Sequence, residues 1–201
     1  MLSPNGHSAP DEARLEADFE MLRRRLGDVS ALDPARSDPI FYFVFPCAAI
    51  LTVRRLLPGW IARMQNEDGL HVQTISLSDM VWQLIDASGR WETWLEVESQ
   101  FDLQDLKAAV LDVLCAHHGL ARQVEQWVTA PRRNAVLFLT DVELLHPFCR
   151  SRVIETYLVN KVQVPIVFFY PGRRTGQHGL HFLEFYAEDP GYRSTIIGGL
   201  A

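Results

Sequence analysis

Between Ala135 and Arg174 two short, unbroken apolar runs are separated by a polar loop and an amphipathic stretch, and few architectures can bury both. Ala135-Val-Leu-Phe-Leu-Thr-Asp141 closes on an acidic residue. His146-Pro-Phe-Cys-Arg-Ser-Arg152 and an amphipathic helix follow, and Val164-Pro-Ile-Val-Phe-Phe-Tyr-Pro-Gly172 forms the second run, ahead of Arg173-Arg174. Strand, loop, helix, strand, loop is a βαβ unit, whose parallel strands need cover on both faces. The loops leaving the carboxyl ends of such strands are where ligands meet the fold.

The remainder of the chain is compatible with that unit. Its 201 residues, 48% apolar and 22% charged, suffice for one domain with a full core. The expected division is a disordered lead over residues 1–10, rich in Ser, Pro, Asn and Gly, and a single α/β domain over 11–201. A formal charge of −6 disfavours direct nucleic-acid binding, which relies on clustered Lys and Arg. Arginine dominates the basic residues and favours bidentate pairing with carboxylate or phosphate. Cys47, Cys115 and Cys149 are odd in number and widely spaced, which suits reduced thiols and neither zinc nor a stapled secreted fold. The chain opens without a basic, then apolar leader, and no apolar run approaches the ~20 residues that span a bilayer. A cytoplasmic protein is expected.

Leu15, Phe19, Leu22 and Leu26 fall at helical spacing from Asp11 to Leu26, with Gly27 as C-cap. Asp33-Pro34 and Asp38-Pro39 mark a turn-rich connection. Ile40-Phe-Tyr-Phe-Val-Phe45 is too uniformly apolar for a half-exposed strand and is expected to be buried on both faces. A helix is expected from about Ala48 to Met64, kinked or divided at Pro58-Gly59. The next strand is Val72 to Leu77, and Ser78-Asp79 would cap a helix through Ile85. The stretch from Ser88 to Trp127 reads as mostly helical, with Ser99-x-x-Asp102 as a capping box and His117-His118-Gly119 as a helix end. Leu180 to Tyr186 and Tyr192 to Ile197 read as antiparallel neighbours joined by the turn Glu188-Asp-Pro-Gly191. This order predicts a three-layer α/β sandwich, with a mainly parallel sheet and an antiparallel C-terminal edge.

Chemistry is harder to place. The layout is P-loop-NTPase-like, yet a phosphate-binding loop needs glycines, a Lys and a Ser or Thr after the first strand. Phe45-Pro-Cys-Ala-Ala-Ile50 supplies none of them, and Pro46 removes a backbone donor. If the strands ending at Thr140 and Tyr170 are parallel, their loops gather Asp141, Glu143, His146, Arg150 and Arg152 near Arg173, Arg174 and His178. Such a cluster can hold an anion, clamp an acidic segment of a partner, or satisfy itself by internal ion pairs. His146 and Cys149, three apart on a helix, could face one another as base and nucleophile, although a free Cys beside a Phe is more often packing. His117-His118 offers no third metal ligand, and Gly172, Gly176 and Gly179 serve a turn. Trp91 and Trp94, in a polar stretch, are candidates for an interface.

Leu139-Thr-Asp-Val-Glu-Leu-Leu-His-Pro-Phe-Cys-Arg-Ser-Arg152 resembles the signature of the BrxB family of bacteriophage exclusion (BREX) defence systems. There an apolar strand and a Thr lead into Pro-Phe-x-Arg-Ser, matched here by Thr140, Pro147, Phe148, Arg150 and Ser151. Phe169-Tyr-Pro-Gly172 with Gly176 resembles the next family motif, and Tyr192-Arg193 the C-terminal pair. Asp141, Glu143 and Arg152 depart from the pattern. The resemblance implies a non-catalytic accessory protein without cofactor or metal. It would act in phage defence beside a methyltransferase, an ATPase and a PglZ-like member of the alkaline phosphatase superfamily. That PglZ-like protein is the first expected partner. Asp141, His146, Arg150, Arg152, Tyr170, Arg173 and Arg174 are the expected partner- or ligand-binding residues. The competing function is a nucleotide- or phosphate-binding protein, or an enzyme, using the same arginine-bearing edge.

Overall fold

Every residue of Ile40–Phe45 (β1) is buried, so this strand needs a neighbour on each edge and side chains against each face. A computed structural model describes residues 8–28, 39–100, 102–129, 133–190, 192 and 194–199. In it, β1 lies between Ile166–Thr175 (β4) and Thr195–Gly198 (β6), parallel to both. Ala135–Thr140 (β3) and His71–Ser76 (β2) extend the sheet past β4, giving the order β2-β3-β4-β1-β6. Gly179–Phe182 (β5) pairs antiparallel with the outer end of β4, from Gly172 to Thr175. The fold is therefore α/β, with a mostly parallel six-stranded sheet flanked by helices.

Alternate side chains of a strand point to opposite faces, and the core divides accordingly. Phe41, Phe43 and Phe45 join Phe138, Val167 and Phe169 against Ser8–Gly27 (α1) and Ile50–Glu67 (α2). From α1 come Leu15, Phe19, Leu22 and Leu26, one face of a helix. The Phe19 ring stacks on Trp60 of α2 at 4.5 Å, and the Trp60 indole N–H donates to Glu16 at 2.8 Å. Tyr42, Val44, Leu139, Phe168 and Tyr170 form the other cluster. Packed into it are Leu77–Ser88 (α3), Trp91–Val97 (α4), Leu103–Cys115 (α5), Gly119–Val128 (α6) and Ser151–Leu158 (α7).

The connections fix where a crevice must lie. The chain leaves β1 through α2 over one face to reach β2, then returns through α3 to α7 over the other. After β4, Leu180 and Phe182 of β5 also join the cluster opposite α2. β1 and β4 are thus adjacent strands whose continuations diverge, the place where an open α/β sheet parts at its carboxyl edge.

Several sequence expectations are corrected. The helix expected from Asp11 begins at Ser8, while residues 1–7, Asp33, Pro34, Asp38, Gly191 and Arg193 lie outside the described residues. Pro58 does not divide α2. It and Gly59 are exposed, so water can satisfy the carbonyl that loses its donor. The cap of α3 is Ser76, which accepts from the Asp79 N–H at 3.2 Å, not Ser78. Asp102, not Ser99, caps α5 through the N–H groups of Gln104 and Asp105. His146 to Cys149 is not helical: His146 is extended, and α7 starts only at Ser151. Arg173 and Arg174 belong to β4, whose last residues are kept in strand by β5. The two final segments are not sheet neighbours. Asp189 makes a single antiparallel bridge to Leu180, after which the chain runs on to the free edge of β1. The antiparallel strand is therefore β5, and the C-terminal strand β6 is parallel.

Two glycines test this packing in opposite directions. A Cβ on Gly172 would collide with the His181 carbonyl across the β4–β5 pair, whereas one on exposed Gly59 meets nothing within 4 Å. Gly172→Ala should cost about 2 kcal/mol, and Gly59→Ala should add roughly 0.5–1 kcal/mol. Urea midpoints measure both, and an unchanged midpoint for Gly172→Ala would contradict the close approach.

Candidate functional site

At the divergence of β1 and β4, the positions where a ligand would enter are taken by the chain's own groups. Past β5, Leu183 and Glu184 adopt left-handed backbone, at φ 51° and 61°. The Leu183 N–H donates to the Pro171 carbonyl at 3.0 Å. This turn delivers the Glu184 carboxylate to the backbone N–H of Cys47, at 3.0 Å, where β1 gives way to the turn leading into α2. That is where a phosphate-binding loop would present its donors. Burial, with Glu184 and Glu143 nearby, pushes the Cys47 thiol up to about 11.

Beside it, Asp141 stands in left-handed backbone (φ 58°) directly after β3. Arg54 of α2 reaches both Asp141, at 2.7 Å, and Glu143, at 2.9 Å. Burial raises Glu143, and Arg54 opposes it. The cavity these residues border, between Phe45, Leu57 and Phe169, measures about 20 Å³. That is room for about one water, not for a nucleotide.

The remaining predicted residues fall into separate groups rather than one pocket. The Arg150 guanidinium lies 3.6 Å from the Tyr186 ring centroid and 5.2 Å from that of Phe182. The Tyr186 hydroxyl hydrogen-bonds Nδ1 of His146. Burial, then Arg150 and Lys107, hold the His146 imidazole below its usual pKa, so it is neutral at pH 7. Arg152 pairs with Asp189 and donates to the Pro190 carbonyl at 2.9 Å. Arg174 straps the β4–β5 turn through carbonyls of Gly176 (3.0 Å) and Gln177 (3.3 Å). Tyr170 is buried among Tyr42 and Phe182. Arg173 is exposed on β4. Cys149 is buried and pushed up to about 12, first by burial, and shares no helix with His146. Among the described residues no group of three or more His, Cys, Asp or Glu could hold a metal ion.

A polar cluster that the sequence reading missed lies behind the motif. Ser151, the last motif residue, sits 3.4 Å from the Tyr42 hydroxyl. The Tyr42 hydroxyl donates to Oε2 of Glu155 at 3.0 Å, and Ser194 donates to the other oxygen. Burial raises the Glu155 carboxyl despite both donors. The cluster ties α7 to the middle of the sheet and to the C-terminal segment. Its signal was a Tyr amid phenylalanines in β1 and a Glu on the apolar side of α7.

A family model described as BREX protein BrxB matches residues 73–197. The chain belongs to that family, and is accordingly a component of a BREX phage-defence system. No curated protein and no solved structure matches it. The match runs from β2 into β6 and includes α7 and Glu155.

Glu155 gives a pH test. Its pKa is raised by burial, so the folded state favours the protonated form. The stabilisation present below the ordinary carboxylate pKa, about 4.5, is lost as pH rises through the raised value. Glu155→Gln removes that dependence. Its stability relative to the natural chain should increase from pH 4.5 to 7 in denaturant titrations. A difference that stays flat or falls would contradict the buried carboxyl.

Proposed function

We propose that this BREX protein is a non-catalytic accessory component that works by protein–protein contact in the cytoplasm. Its first partner is the PglZ-like protein of the same system, with other BREX components as further partners. The matching fold reading is a three-layer sandwich, P-loop-NTPase-like but lacking a phosphate-binding loop. The supporting observation is that the carboxyl-edge crevice is filled from within. Glu184 caps the Cys47 N–H, and Arg54 is shared by Asp141 and Glu143 around a cavity of about 20 Å³. A hydrolytic or transfer site instead needs open donors, a poised nucleophile or base, and space for the reacting group. The thiols of Cys47 and Cys149 are both pushed up, which favours the unreactive form.

On this reading Asp141, His146, Arg150, Arg152, Tyr170 and Arg174 shape the edge, and exposed Arg173 is free to meet a partner's acid. The competing reading, an anion held by Arg150, Arg152 and Arg173, has weaker support. Arg150 already lies on Tyr186, and Arg152 already pairs with Asp189. No helix among the described residues is long and apolar enough to cross a membrane.

The purified chain and its PglZ-like neighbour, each folded, should co-elute from a sizing column at micromolar concentration. Separate elution at that concentration would remove the PglZ-like protein as partner.

A further inference from the structure

On the far side of the molecule from the α2 crevice, α4 and α5 leave an apolar groove of about 350 Å³. Its walls are Trp91 and Leu95 of α4 and Leu103 and Leu106 of α5. Trp82 of α3 extends it, edge-on to Trp91 at 5.5 Å. Leu103 is 74% exposed, Trp82 50% and Leu95 48%. Trp94, the other tryptophan the sequence offered for an interface, also lines the groove while its burial anchors α4 to the core. Scattered exposed leucines need no explanation, but a contiguous strip with two tryptophans marks an interaction surface.

Charge restricts the occupant. Glu98 and Asp102 line the groove, and Glu92, Glu96 and Asp105 are exposed on the same two helices and the turn between them. Of the basic residues nearby, Arg90 pairs with Asp112 at 2.6 Å, which leaves half-buried Lys107 on α5 against five acids. An acidic rim repels nucleic acid and anionic lipid. The spacing of the apolar residues, four apart on α4 and three apart on α5, presents two ridges with a trough that takes a third helix.

We propose that this groove docks an amphipathic helix of another protein, with an apolar face flanked by Lys and Arg. The inference rests on the interaction-protein reading above and specifies the partner chemistry that the groove would accept.

The test uses fluorescein-labelled synthetic peptides of about 18 residues, five helical turns, read by anisotropy against the full chain. A Leu/Lys amphipathic peptide should bind. A Leu/Glu peptide of the same pattern, and a Ser/Lys peptide of the same charge, should bind at least about tenfold more weakly, a 1.4 kcal/mol difference. Leu103→Asp, at an exposed position that should not disturb folding, should weaken Leu/Lys binding about tenfold or more, and Glu98→Lys should weaken it measurably. Leu51→Asp, on exposed α2 across the sheet, should leave it unchanged. Absence of Leu/Lys binding, equal binding of the Leu/Glu peptide, or indifference to Leu103→Asp would overturn the proposal. So would a dimer of this chain that Leu103→Asp abolishes, which would assign the groove to a second copy. No PglZ-like protein enters this assay. Peptide binding without co-elution would leave the groove and remove that partner, and co-elution with a failed peptide assay would do the reverse.

Discussion

A parallel strand pair buried on both faces governs this molecule. β1 and β4 run side by side through the centre, with Phe43 beside Phe169 and Val44 beside Tyr170. Neither face of such a pair can be left to water, so the chain must place helices on both. It does so by leaving β1 over one face and returning to β4 over the other. That same divergence opens the carboxyl edge between them. A protein that binds small molecules would keep the gap open; here Glu184 and Arg54 close it.

The closure changes the meaning of the charged residues gathered there. An arginine-bearing edge with acids and a histidine reads, as sequence, like an anion site. In three dimensions Arg150 lies over aromatic rings, Arg152 meets Asp189, and Arg174 holds a turn. Individually exposed pairs of this kind add little stability, but they orient the loops. The buried Tyr42–Glu155–Ser194 cluster is different, because truncating one partner leaves polar groups without water. The family motif thus contributes to holding α7 against the sheet, through Ser151 and the Glu155 that follows on the same helix.

Legibility followed the range of the interactions. Uniformly apolar strands announce themselves, and Ile40–Phe45 and Ala135–Thr140 were readable to the residue. Helix spacing exposed the Leu15–Leu26 face of α1. Caps were readable only approximately, because Ser76 and Ser78, or Ser99 and Asp102, compete on local grounds. What one sequence could not supply was pairing at distance. Arg54 meets Asp141 across 87 residues, Tyr42 meets Glu155 across 113, and Cys47 meets Glu184 across 137. The same blindness made β5 and β6 look like a hairpin. The chain does fold back, with Asp189 bridging Leu180, but the edge of β1 took the second strand.

The central claim is that the crevice at the carboxyl edge is closed by the chain itself and holds no nucleotide or phosphate. Thermal unfolding with millimolar ATP, GTP or inorganic phosphate, with and without magnesium, tests it most directly. We predict no shift in the transition. A ligand present at 100 times its Kd would stabilise the folded chain by about 2.7 kcal/mol, and a rise of that order would contradict the closed edge.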